Sequence, residues 1–311
     1  MCTVISKSID RLYFGRNMDI EKGFGEEMVF VPRNFPLSFK AERTLEHHNA
    51  FMGIGAVMDG YPMMAEGVNE HGLCMAGLNF VGNAFYGDIK DKKENVAPYE
   101  LIPLILSTCK SVREAKRRLE YISLISVPFK ENVPLPTLHF YIADQHGALV
   151  FEAMKNGNHI YDNYVGVLTN NPPFSAQMDS LANYENLTNQ PRVGAFSLGK
   201  PYSLGLSSYG LPGDFSSSSR FVRAVYLKHF SVWEKGEEVS QMLHLLDSVA
   251  VPKGAVINGS GEYHYTLYQS CIDTSECIYY FRTYGSINTH LVRMDHFNAD
   301  SGKIQTVDIY K

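Results

Sequence analysis

Through the first 80 residues, short apolar or aromatic runs are broken by Gly, Pro and Asn, a pattern that predicts strands at 11–19, 28–31, 51–58 and 72–80. Residues 51–58 (FMGIGAVM) and 73–78 are almost continuously apolar, as in strands covered on both faces. The period then changes. Ser111-Val-Arg-Glu114 has the form of a capping box, and Val112, Ala115, Leu119 and Ile122 follow at helical spacing, with a second helix expected over 98–108. Strands are expected again at 138–144 and 148–154, joined by a turn at 144–147, and Asn156-Gly157 marks a hairpin turn before 159–162. Helices are predicted over 177–187, 220–230 and 237–249; in the last, Val239, Met242, Leu243, Leu246 and Val249 share one face. The aromatic-rich segments 263–273, 277–284, 287–295 and 304–310 read as strands of a second antiparallel sheet. Strands, helices, strands, helices and strands in that order imply an α+β fold, two sheets face to face with helix layers outside. Without a repeat or linker, residues 1–311 are expected to form a single domain.

Bulk composition narrows the function classes. With 311 residues, 45% hydrophobic and 20% charged, the chain can bury a large core. A net charge of −5 and the lack of a basic block speak against nucleic acid as a partner. No apolar run approaches the ~20 residues of a membrane span; 101–106 is far too short. The N-terminus lacks the charged and apolar regions of a secretory signal, so a cytoplasmic protein is expected. Five scattered cysteines, at 2, 74, 109, 271 and 277, suggest reduced thiols rather than a disulfide framework, and the Asn-x-Ser/Thr matches at Asn186 and Asn258 then lose their meaning.

Several motifs carry little. Gly53-Ile-Gly55 lacks the third glycine and the helix of a dinucleotide loop. His47-His48 has no partner at ligand spacing, and Cys271 and Cys277 form no zinc pattern. Ser216–Ser219 suits a helix N-cap better than a nucleophile. No metal and no cofactor are expected.

Cys2 is different. If Met1 is removed, one residue carries both a thiol and a free α-amine, two groups that titrate within about one unit of each other. A nucleophile beside an N-terminal amine is an established activation scheme. From position alone, a small apolar residue opening a buried strand remains the alternative. An antiparallel hairpin of 2–6 with 12–16 brings FGRNMD beside residue 2. Arg16 then favours a thiolate and Asp19 holds the amine; the competing view is a surface ion pair of little energetic weight.

MCT at the start, FGRNMD, NEHGLCMAGLNF (69–80), VLTNNPPF (167–174) and GLPGDFSSSSRFVRA (210–224) occur in this order. Together they resemble the choloylglycine hydrolase family of bile salt hydrolases and penicillin V acylases, over essentially the whole chain. The resemblance implies a four-layer αββα N-terminal nucleophile fold. It also implies loss of Met1, Cys2 as nucleophile with Arg16 and Asp19 around it, Asn79 with a backbone N–H as oxyanion hole, Asn170 near the α-amine, and Arg220 completing the polar site. The family's acyl pocket maps onto Met18, Phe24, Met58, Ala65, Phe129, Val133 and Leu138, all apolar here. Penicillin V acylase relatives commonly carry Tyr where this chain has Asn79, so the implied substrates are glycine- and taurine-conjugated bile salts. A penicillin V or N-acyl homoserine lactone acylase is the alternative on the same scaffold. A non-catalytic acyl-ligand binding protein would not need the N-terminal thiol. The family's homo-oligomer, a tetramer, is implied as well, but the loop 202–209 looks short, which leaves both assembly and the glycine–taurine preference open.

Overall fold

In the computed structural model, which describes residues 1–191 and 204–311, the chain begins with the expected hairpin. Strands β1 (Cys2–Ser8) and β2 (Leu12–Ile20) pair from Ser8 opposite Leu12 to Cys2 opposite Met18. There follow β3 (Glu27–Val31), β4 (Phe51–Met58), β5 (Tyr61–Met64), β6 (Glu66–Asn69) and β7 (Cys74–Asn79). A short parallel pair, β8 (Glu94–Val96) and β9 (Ile122–Leu124), brackets α1 (Leu101–Thr108) and α2 (Val112–Leu119). Next come β10 (Leu138–Asp144), β11 (Gly147–Met154), β12 (Gly157–Asp162), β13 (Val167–Leu168), α3 (Phe174–Leu181), α4 (Ser217–Phe230) and α5 (Glu238–Asp247). The chain closes with β14 (Tyr265–Asp273), β15 (Ile278–Thr283), β16 (His290–Arg293) and β17 (Gln305–Asp308).

These strands form two large antiparallel sheets, as a four-layer α+β sandwich requires. The six-stranded sheet runs β13-β1-β2-β14-β15-β16. The nine-stranded sheet runs β12-β11-β10-β7-β6-β4-β3-β17, with β5 added beside β4. Helices α4 and α5 cover the first sheet and α1 and α2 cover the second. The C-terminal strands do not make a sheet of their own: β14 docks against β2, and β17 crosses to pair with β3. Local alternation reports which face of a strand is buried but not which distant strand it pairs with. The helix expected at 177–187 starts earlier, at Phe174, and Ile122 lies in β9 rather than on α2. Ser111 does cap α2 by accepting the Glu114 N–H, but the Glu114 carboxylate turns to the Lys110 N–H. Of the expected entrance loop 202–209, residues 202–203 lie outside the described residues.

The pleat of β2 decides what faces what. Phe14, Arg16 and Met18 point between the sheets; the Phe14 ring lies 5.8 Å from that of Tyr141 on β10. Gly15 and Asn17 point to the helix layer. A Cβ on Gly15 would come within 2.6 Å of Met242 on α5, and Asn17 Nδ2 donates to the Leu246 carbonyl at 2.8 Å. Each fully buried phenylalanine of this core, such as Phe14 or Phe140, contributes about 2–3 kcal/mol by removal from water.

Gly53 is tighter still, because β4 and β6 approach so closely that any Cβ there would overlap the Glu66 carbonyl oxygen. Backbone cannot swing away as a side-chain tip can, so Gly53→Ala is expected to cost about 3 kcal/mol. Gly147→Ala, where a Cβ meets open space, should be neutral or slightly stabilising. Urea midpoints of the two variants check this.

Candidate active site

Cys2 opens β1 almost fully buried, its side chain on the same face as Arg16 and Met18. The Arg16 guanidinium donates from Nη2 to the Cys2 Sγ at 3.4 Å and to the Gly77 carbonyl at 2.7 Å, and from Nη1 to the Ala65 carbonyl at 2.5 Å. Its Nε faces the Glu66 carboxylate at 3.1 Å. Burial opposes the Arg16 charge, but Cys2, Tyr268 and Glu66 around it outweigh burial and hold its pKa above the ordinary value. Glu66 is also buried. Burial raises it above the usual carboxylate range, while Arg16 and hydrogen bonds from Ser270 (2.5 Å) and Tyr279 (3.2 Å) pull it back. A fixed cation thus sits beside the sulfur.

The backbone of Cys2 is held from other directions. Its N–H donates to Asn170 Oδ1 at 2.7 Å; Asn170 follows β13, the neighbour of β1. Arg220, fully buried on the first turns of α4, donates to the Cys2 carbonyl at 2.7 Å, to Thr3 Oγ1 at 2.5 Å and to Asn170 Oδ1 at 2.9 Å. Burial lowers its pKa against the pull of Asp19, whose Oδ2 lies 3.8 Å away. Asp19 Oδ1 accepts from Thr266 at 2.6 Å, whereas Oδ2 is buried without a hydrogen-bond partner. Arg16 and Asp19 are therefore neither exposed nor paired with each other. Met1 continues the strand by one residue: its carbonyl accepts the Asp19 N–H at 3.0 Å and its amine donates to the Asp19 carbonyl at 2.7 Å. Burial holds that amine below its ordinary pKa.

Asn79 ends β7. Its carbonyl accepts from Asn170 Nδ2 at 2.8 Å and its Oδ1 accepts from Thr137 at 3.0 Å. Its Nδ2 donates to no acceptor among the described residues. Cys2, Arg16, Asp19 and Asn79 all line one cavity of about 650 Å³. The seven apolar residues expected as a pocket, Met18, Phe24, Met58, Ala65, Phe129, Val133 and Leu138, line the same cavity, joined by Ile20, Met63, Val81 and Leu135. Asn170 and Arg220 stay behind the cavity wall, acting on Cys2 through its backbone.

This geometry agrees with the comparisons to known proteins. The model of linear amide C–N hydrolases of the choloylglycine hydrolase family matches residues 2–307. The chain belongs to this family. It is 42% identical to a bile salt hydrolase/transferase of Lactiplantibacillus plantarum, over 98% of this chain and 95% of that one. A conjugated bile acid hydrolase of Lactobacillus acidophilus is 34% identical over 98% of this chain and all of its own length (100%). Among solved structures, a variant of the conjugated bile acid hydrolase from Clostridium perfringens superimposes with a TM-score of 0.92 at 32% identity, covering 99% of this chain and 97% of that one. The penicillin V acylase of Agrobacterium tumefaciens shares the fold, with a TM-score of 0.79 at 19% identity over 99% and 91% of the two chains. The protein is thus an amide hydrolase of the cysteine-nucleophile type.

Two positioning residues were not anticipated from the sequence. Glu66 carried a signal that went unused, a lone carboxylate among buried apolar strands. Thr266 carried none, since one threonine in an aromatic-rich strand is unremarkable. Glu66→Gln preserves the shape but leaves Arg16 without its counter-charge, and about 3 kcal/mol of stability is expected to be lost. The double variant Arg16→Met/Glu66→Gln should lose less than the two single losses combined. Chemical denaturation of the three variants and the wild type closes this cycle.

Proposed function

We propose that this chain hydrolyses the amide bond of glycine- and taurine-conjugated bile salts, with Cys2 as nucleophile after removal of Met1. The observation that carries the substrate class is the thiol opening onto a cavity of about 650 Å³ whose walls are mostly apolar, room for a rigid steroid body. The names of the relatives at 42% and 34% identity support the same class.

In this reading the Cys2 thiolate, steadied by Arg16, attacks the amide carbonyl carbon. The oxyanion that forms is met by Asn79 Nδ2 and a backbone N–H. The freed α-amine, held by Asn170 Oδ1 and the unpartnered Asp19 Oδ2, delivers a proton to the departing nitrogen as the C–N bond breaks. Water then attacks the thioester, with the same amine taking its proton, and releases the bile acid. Arg220 fixes the Cys2 carbonyl and Asn170 throughout. The working unit in this proposal is one catalytic domain over residues 1–311, cytoplasmic and homo-oligomeric. No helix among the described residues is long and apolar enough to cross a membrane.

The five thiols should react in a defined order. Burial pushes Cys74, Cys109 and Cys271 up, and Cys277 is raised to about 11, whereas Cys2 faces a cavity and a guanidinium. Iodoacetamide is expected to label residue 2 first, with activity lost in proportion, and Cys2→Ser should fold yet lose nearly all turnover. Peptide mapping against residual activity is the check; inactivation that tracks another cysteine counts against the assignment.

Substrate class is read from kcat/KM for glycocholate, taurocholate and penicillin V in one buffer. Contacts of methylene size are worth roughly 1–3 kcal/mol each, so several together should favour both bile salts by at least tenfold. Penicillin V matching either would overturn the substrate reading, and intact mass showing Met1 retained in fully active enzyme would overturn the amine's role.

A further inference from the structure

We propose that Gln177 and Ser217 are positioning residues for the reaction: from two different helices they clamp the backbone of Asn170 and so aim its side chain at the amine of residue 2. The clamp bears on the reaction through the amine's role proposed above, and so rests on that reading. Neither residue lines the cavity that holds Cys2.

The ladder between β1 and β13 ends with Leu168 opposite Val4, so the backbone of Asn170 lies beyond it and needs other partners. Both come from helices. Its N–H donates at 2.8 Å to the hydroxyl of Ser217, the first residue of α4. Its carbonyl accepts at 2.5 Å from Nε2 of Gln177 on α3. Gln177 is fully buried and its amide is fully used. Nε2 donates a second time, to the Pro172 carbonyl at 2.8 Å, and Oε1 accepts from Thr169 Oγ1 at 3.0 Å. Turned over, the amide would set its oxygen against two carbonyl oxygens, so one orientation alone satisfies all three partners. The Ser217 hydroxyl is used both ways: it accepts from Asn170 and donates to Thr169 Oγ1 at 2.9 Å. A buried network satisfied to this degree holds its members rigidly.

With its backbone held, Asn170 has little choice of where its side chain goes. Oδ1 meets the Cys2 nitrogen at 2.7 Å and Arg220 Nη2 at 2.9 Å, while Nδ2 donates to the Asn79 carbonyl at 2.8 Å. In the mature enzyme Oδ1 accepts from the Cys2 amine, and an acceptor there favours the charged, protonated form. A tilt of Asn170 lengthens that bond and returns the amine towards neutrality. The charged groups about residue 2 are Arg16, Asp19 and Arg220, with Glu21 and His264 beside Met1. None of them is bonded to the Gln177 or Ser217 side chain among the described residues, so an effect of those two on the amine travels through Asn170.

The test uses mature enzyme carrying isotope-labelled cysteine, with the Cys2 amine titrated by nitrogen NMR beside the pH profile of kcat/KM for glycocholate. Ser217→Ala removes the acceptor of the Asn170 N–H. The amine titration and the acid limb of the profile are expected to move together to lower pH by about half a unit. At the optimum kcat should fall about tenfold with KM little changed, since a misplacement of roughly 1 Å costs up to about 10²-fold. Ser217→Thr, which keeps the hydroxyl, should restore both, and Gln177→Met should shift the amine in the same direction as Ser217→Ala. Asn170→Ala calibrates the scale. An amine that moves in Asn170→Ala but stays put in Ser217→Ala overturns the clamp and leaves the amine's role standing, even where Ser217→Ala has lost activity. An amine unmoved in Asn170→Ala overturns the amine reading and the clamp with it. The NMR titration needs no turnover, so it decides the clamp whichever acyl amide is the substrate.

Discussion

A single buried guanidinium ties the two halves of this sandwich together. Arg16 belongs to β2 of the six-stranded sheet, yet it donates to the Ala65 and Gly77 carbonyls and forms an ion pair with the Glu66 carboxylate of the nine-stranded sheet. Removing such a group from water costs several kcal/mol, recovered only when counter-charge and acceptors meet it. The two sheets must therefore close at one separation and one register for the core to be stable, and the fourth partner of that network is the Cys2 sulfur. Packing of the sandwich and charge at the nucleophile are thus one constraint.

The polar ring on the other side of β1 works differently. Arg220 comes from α4, Asn170 from the end of β13, Asp19 from β2 and Thr266 from β14, elements far apart in sequence. None except Asp19 lines the cavity. Their targets include the Cys2 backbone, the Thr3 hydroxyl, the Asn79 carbonyl and one another. The cavity side is left largely to apolar side chains and to the free amide of Asn79. The site thus has a polar back and an apolar front.

Much of this was legible in the sequence, for physical reasons. Strand β4 was placed residue for residue because a continuous apolar run bounded by polar turns admits few alternatives. The hairpin of β1 and β2 followed from proximity in the chain. Sheet membership of β14 and β17 did not, because the partners lie about 250 to 280 residues away and alternation is blind to them. The competing view of Arg16 and Asp19 as a surface pair fails because the pleat sends residues 16 and 19 to opposite faces. Asn79, Asn170 and Arg220 came from resemblance alone, since each sits where a cap or turn residue would be ordinary. Glu66 and Thr266, which act through Arg16 and Asp19, left no pattern strong enough to be chosen.

The turn at residues 9–11 between β1 and β2, closed by the Ile9 N–H to the Arg11 carbonyl, bears a burden unusual for a hairpin tip. Most exposed turns tolerate an extra residue. Here the pairing of Cys2 with Met18 sets which side chain enters the space between the sheets. One residue of slippage would turn Thr3 towards Arg16 and send the sulfur to the helix layer. The length of that surface turn is thus a ruler that sets where the sulfur lands.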